Sequence, residues 1–110
     1  MTDARFAIII PAYNHGTRIA EVVRGALTLG YPVFVVDDGS GDATAQVLES
    51  LSGIHVLRHP ANQGKGAALI TGMHAAADIA DYAITMDADG QHRPADARQL
   101  VAALGSDRRA

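Results

Sequence analysis

Four short apolar runs divide the chain. Phe6-Ala7-Ile8-Ile9-Ile10 is continuous and rich in β-branched residues, the pattern of a strand covered on both faces. Val33-Phe34-Val35-Val36 is a second such run, Ile54-His55-Val56-Leu57 a third, and Tyr82-Ala83-Ile84-Thr85-Met86 a fourth. The segments between them carry helical spacing. From Thr17 to Leu29, the residues Ile19, Val22, Val23, Ala26 and Leu27 recur near i, i+3, i+4, i+7 and i+8, and Gly30 suits a helix stop. Ala43 to Leu51 reads as a short helix capped by Ser40 or Asp42. Gly66 to Ile79 is rich in alanine and other small residues, as a helix packed closely on a sheet would be. A last helix is expected from Asp96 to Leu104, entered through Pro94.

Strand and helix alternate with short connections, so the expected fold is a three-layer α/β/α arrangement around a mostly parallel, Rossmann-like sheet. Ligands of such sheets bind beyond the carboxyl ends of the strands, near the reversal of strand order. The four segments at those ends are PAYNHG, DDGSGD, RHPANQGKG and DADGQH. All are polar, glycine-bearing or acidic, which concentrates the chemistry on one edge.

With 110 residues the chain is long enough for one domain, taken as 1–110, with a core of its own. Its 48% hydrophobic content is that of a globular protein. A net charge of -3 without a basic block carries no nucleic-acid footprint. No apolar run reaches 18 residues, so no membrane span is expected. The apolar run near the N-terminus is too short, and too soon ended by proline, for a signal peptide. Cysteine does not occur, which fits the cytoplasm.

Asp87 and Asp89 stand one residue apart after the fourth strand, where a turn would aim both carboxylates at one point. With the amide oxygen of Gln91 they form a hard-oxygen set suited to Mg²⁺ or Mn²⁺, whose open positions diphosphate oxygens would fill. The competing reading is a solvated turn in which Asp89 or Asp96 caps a helix. Asp38 is placed to accept hydrogen bonds from a base or a ribose, and Gly39 lets the backbone turn closely under a ligand. Alternatively, Asp37 to Asp42 form an Asx-turn that ends in a cap at Ser40 or Asp42. Pro11 is expected to end the first strand, and Tyr13 offers a ring on which a base rests.

Gly64, Lys65 and Gly66 open the alanine-rich helix, whose N–H groups and lysine suit an anion. A glycine-rich helix start with a solvated lysine explains the same residues. The segment is no P-loop, because Gly66 stands where Ser or Thr is required, and no G-x-G-x-x-G follows the first strand. The histidines form no metal set. His55, His59 and His74 read as structural or solvated, whereas His15 and His92 lie on the functional edge.

Taken together, IIIPAYN (Ile8–Asn14), FVVDDGSGDAT (Phe34–Thr44), NQGKGAAL (Asn62–Leu69) and MDADGQHRP (Met86–Pro94) resemble the nucleotide-sugar-binding half of inverting family 2 glycosyltransferases with the GT-A fold. The dolichyl- or polyprenyl-phosphate mannose and glucose synthases are the most similar branch. The resemblance covers nearly the whole chain. It implies that Pro11, Ala12 and Tyr13 line the nucleobase and ribose pocket and that Asp38 bonds the base. Asp87 and Asp89 would be the D-x-D acids on a divalent cation and Gln91 a further ligand, with Gly64 and Lys65 near the nucleotide. The implied donor is a UDP- or GDP-sugar, and Asp89 the acid on which turnover depends.

Two departures stand out. Many relatives have Glu where this chain has His15. The family's sheet also continues past the D-x-D segment into an acceptor-binding half, which supplies the acceptor-side acid. The sequence is therefore expected to be a donor-binding part with little turnover of its own and a tendency to self-associate through an uncovered sheet edge. Two rival readings remain. A receiver domain shares the acid pair and a later acid, but this chain has an extra strand-helix unit before the pair. A haloacid-dehalogenase-type phosphatase shares D-x-D-G, but here Gln91 replaces Thr and the motif comes late.

Overall fold

The computed structural model describes residues 5–16, 18–88 and 101–103. The elements run β1 (Phe6–Ala12), α1 (Ile19–Leu27), β2 (Val33–Asp38), α2 (Thr44–Glu49), β3 (His55–His59), α3 (Lys65–Ala76), β4 (Tyr82–Thr85) and β5 (Val101–Ala103). The strands form one sheet in the order β3-β2-β1-β4-β5. β1 to β4 are parallel, and β5 runs antiparallel to β4, with Ile84 opposite Val101 and Tyr82 opposite Ala103. The three-layer, mostly parallel fold expected from the sequence is the one observed.

Alternation along β1 divides the core into two layers. Ile8, Ile10 and Ala12 join Val33 and Val35 against Ile19, Val22, Val23 and Ala26 of α1 and Leu48 of α2. Ala7 and Ile9 turn the other way, with Phe34 and Ala83, and pack with Ala76, Leu69 and Met73 of α3. The small residues of α3 have the purpose their pattern suggested. A methyl group added at Gly72 would collide with Cγ2 of Ile9 and lie 3.2 Å from Cγ2 of Val36. Neither β-branched side chain can swing aside, so the helix would have to lift off the sheet. Gly72→Ala is expected to destabilise the fold by about 1–3 kcal/mol, despite alanine's better helix propensity. A urea midpoint at or above the wild-type value would contradict this packing.

Three expectations need correction. Val101–Ala103 is a strand, not part of a helix over 96–104; β4 would otherwise present an open ladder there, and pairing satisfies it. The rest of that segment lies outside the described residues. Pro11 does not end β1, which continues to Ala12, with Pro11 paired to Val36. Ile8 donates toward β2, to the Pro32 carbonyl, and the Ile9 carbonyl accepts from Met86 on the β4 side. By alternation the amide of Pro11 faces the β4 side, beyond the last residue of β4, so no ladder bond is lost. Finally, β3 runs to His59 and is an edge strand with His55, Val56 and Arg58 exposed, not a strand buried on both faces.

Candidate functional site at the strand ends

Strand order reverses beside β1: the chain moves from β1 outward through β2 and β3, then returns to its other side for β4. The crevice beyond the strand ends at that point is a cleft of about 320 Å³. Pro11, Ala12, Tyr13 and His15 form one wall, Asn62, Lys65 and Ala68 another, with Asp38, Asp87 and Ala88 between them. Of the expected site residues, the fold thus brings together Pro11, Ala12, Tyr13, Asp38, Lys65 and Asp87. Asp89 and Gln91 lie outside the described residues, as does His92. Gly64 does not line the cleft.

The first wall is latched by its neighbour. Asn14 takes a left-handed backbone (φ 56°), its N–H donates to Ser40 Oγ at 2.9 Å, and its side-chain oxygen accepts from the Gly41 N–H at 2.8 Å. His15 N–H donates to Thr44 Oγ1, and Gly16 N–H to Asp42. The N-cap of α2 is Ala43, not Ser40 or Asp42 as expected; Asp42, the residue before the cap, accepts from the Thr44 N–H at 2.9 Å. Hydrogen bonds from the Thr44 hydroxyl and N–H hold the Asp42 carboxyl below the usual carboxylate range. Ser40 instead joins Asp37 to Asn14, its N–H donating to Asp37 Oδ1. These bonds fix Tyr13, 44% exposed, with a face open to the cleft.

Asp38 organises the second wall. Only 2% exposed, its carboxylate accepts from His59 Nδ1 (2.7 Å) and Gln63 N–H (2.9 Å) at Oδ1, and from Asn62 Nδ2 (2.9 Å) and Gly64 N–H (2.8 Å) at Oδ2. The other ring nitrogen of His59, Nε2, lies 2.8 Å from the Thr71 hydroxyl, so both ring nitrogens have a hydrogen-bond partner. Burial pushes the Asp38 carboxyl upward, but the bonds from His59, Gln63 and Gly64 outweigh it and the net direction is down. The anion seated before α3 is therefore the protein's own. The Gly64 N–H, expected for a ligand, is already committed to Asp38, as is the N–H of Gln63. Gly64 itself adopts φ 104°, a conformation that favours glycine. For Asp38 to bond a base directly, it would have to release one of its four donors.

Lys65 Nζ reaches across the cleft to Asp87 Oδ1 at 2.6 Å. Asp87 is the carboxylate that the described residues supply for a cation. Among these residues no group of three His, Cys, Asp or Glu is gathered as a metal site. The sequence drew attention to most of this cleft, but gave no role to Asn62, none to Thr71, and did not join His59 to Asp38. Asn62 stood in a segment already singled out, whereas His59 joins Asp38 only through the parallel register that sets the two residues opposite each other.

A model of glycosyl transferase family 2 matches residues 7–110. The chain belongs to that family. Among its family 2 relatives, a UDP-N-acetylglucosamine–dolichyl-phosphate N-acetylglucosaminyltransferase of Methanococcus voltae is 34% identical, over 97% of this chain and 50% of the relative. A dolichol-phosphate mannosyltransferase of Pyrococcus furiosus is 37% identical, over 94% of this chain and 31% of the relative. The solved structure of glucosyl-3-phosphoglycerate synthase from Mycobacterium tuberculosis with UDP superposes with a TM-score of 0.69 at 25% identity, covering 83% of this chain and 36% of the synthase. The same synthase with Mn²⁺, UDP and glucosyl-3-phosphoglycerate gives 0.66. The chain spans half or less of the length of these proteins. Family 2 membership leaves the receiver and phosphatase readings without support. No helix among the described residues is long and apolar enough to cross a membrane.

Proposed function

We propose that the strand-end cleft binds the nucleoside diphosphate of a sugar donor, as the donor-side part of an inverting glycosyltransferase that uses a polyprenyl phosphate or a glycan as acceptor. One observation carries the reading: an aromatic wall, a buried carboxylate-organised loop, a lysine and an acid from four strand ends converge at the reversal of strand order. The family relatives named for UDP- and dolichyl-phosphate substrates, and the structural neighbour with UDP and Mn²⁺, support the same assignment.

In this reading Pro11, Ala12 and Tyr13 seat the base and ribose, with the Tyr13 ring as the apolar platform. Asp38 acts mainly by holding the loop of Asn62 to Gly64, which leaves Lys65 to meet diphosphate oxygens. Asp87, with Asp89 and Gln91, would hold Mg²⁺ or Mn²⁺. The fit rests on hard oxygen donors, since the half-exposed carboxylate of Asp87 already holds a cationic group. The bound cation supplies neutralisation of charge on the departing diphosphate. The chain's own groups orient the donor, and Lys65 adds positive charge beside the leaving oxygens.

Amide NMR tests the assignment. Adding UDP or GDP with Mg²⁺ is expected to shift the signals of residues 12–15, 62–65 and 87–88 and to leave those of 47–51 unchanged. Shifts confined to the exposed edge strand β3 would contradict it.

A further inference from the structure

The cleft carries its own cation. Lys65 opens α3 and Asp87 follows β4, yet ammonium and carboxylate meet at 2.6 Å. The Lys65 side chain is 63% exposed and that of Asp87 35%, so water screens the contact and keeps it weak. A Mg²⁺ ion on a carboxylate oxygen sits about 2.0–2.1 Å from it. A metal on Asp87 Oδ1 and an ammonium at its present distance would therefore face each other as close like charges. One must leave. The lysine stem is flexible, and its backbone stands at the helix start where a diphosphate would lie.

We propose that Lys65 is the resident counterion of Asp87 before the donor binds, and that it is exchanged for the divalent cation and passed to the diphosphate when the donor binds. This rests on the donor-site reading and adds a coupling to it. Metal alone must compete with Lys65 for Asp87. Metal with nucleotide offers the displaced ammonium a new anion, so each ligand raises the affinity of the other. A side chain committed only to phosphate would impose no such penalty on metal alone.

Electron paramagnetic resonance of free Mn²⁺ tests the exchange on wild type, Lys65→Met, Lys65→Arg and Arg24→Met. Arg24 is exposed on α1, away from the cleft, and controls for net charge. Circular dichroism melts check that each variant is folded. Without nucleotide, Lys65→Met is expected to bind Mn²⁺ about two- to fivefold tighter than wild type, the range set by an exposed ion pair. Arg24→Met should match wild type, and Lys65→Arg, which keeps the charge, should gain less Mn²⁺ affinity than Lys65→Met. With UDP or GDP present the order reverses, and Lys65→Met binds nucleotide with Mn²⁺ more weakly than wild type. Unchanged or weaker Mn²⁺ binding by Lys65→Met alone overturns the exchange, and so does tighter binding that fails to reverse with nucleotide. If wild type itself binds neither UDP nor GDP with Mn²⁺, the donor-site reading fails and the exchange falls with it. Metal-dependent nucleotide binding without the reversal leaves that reading intact.

Discussion

Asp38→Ala is expected to be the most destabilising single change in the cleft, by about 2–4 kcal/mol, the range for leaving a buried donor unmet and losing further bonds to a carboxylate. It strips the acceptor from His59, Asn62 and two backbone N–H groups at once. His59 stays buried and Gly64 half-buried without a partner, which adds to the cost, whereas Asn62 and Gln63 are exposed and water meets part of their loss. For a domain whose whole stability is about 5–15 kcal/mol, that is a large share. Urea unfolding should show a much lower midpoint with a similar slope; a midpoint near wild type would mean the loop of 61–64 holds itself.

The same network sets a pH dependence. The Asp38 carboxyl is held below its ordinary value near about 3.9, so its stabilisation is complete above that pH and is lost as pH falls through the lower folded value. Below about pH 4, wild type should lose stability more steeply than Asp38→Asn. Parallel acid unfolding curves would contradict the network's charge.

The second large effect is functional. Asp87→Ala is expected to lower metal-dependent nucleotide affinity by more than about 100-fold, since even the outer partners of metal ligands are worth about 10–100-fold. The fold should hardly notice. Asp87 lies past the end of β4 and is half-exposed, and the Lys65 it would abandon reaches solvent. Calorimetry and a thermal melt on the same sample separate the two effects. Lost binding with an unchanged melt supports a ligand-side acid, whereas retained metal-dependent binding would remove Asp87 from the site.

The core and the cleft were legible in the sequence to different depths. The apolar runs announced β1, β2 and β4 because the apolar residues within them are covered by helices on the two faces of the sheet. They misled at β3, where Ile54 to Leu57 looks like a core strand but forms the sheet edge. A short apolar run does not say which neighbours cover it. Val101–Ala103 reads equally as helix or strand by spacing, and its pairing with β4 decides the matter.

In the cleft, residue chemistry marked Tyr13, Asp38, Lys65 and Asp87, but not how they are used. Asp38 offered itself as an acceptor for a ligand, yet the protein supplies all four donors. Three of them come from residues 62–64 and the fourth from His59, which lies opposite Asp38 in the ladder. Of the two readings open for His59, structural or solvated, the register decides for the first, as a buried partner of Asp38. The Lys65–Asp87 contact is similarly invisible along the chain, because it joins the start of α3 to the end of β4.

The central claim, that these strand ends form a metal-assisted nucleoside diphosphate site, is tested most directly by calorimetric titration of UDP and GDP into the folded chain with and without Mn²⁺. The account predicts saturable binding of at least one of them at one site, markedly tighter with Mn²⁺. A folded sample that binds neither, or binds equally well without metal, would contradict it.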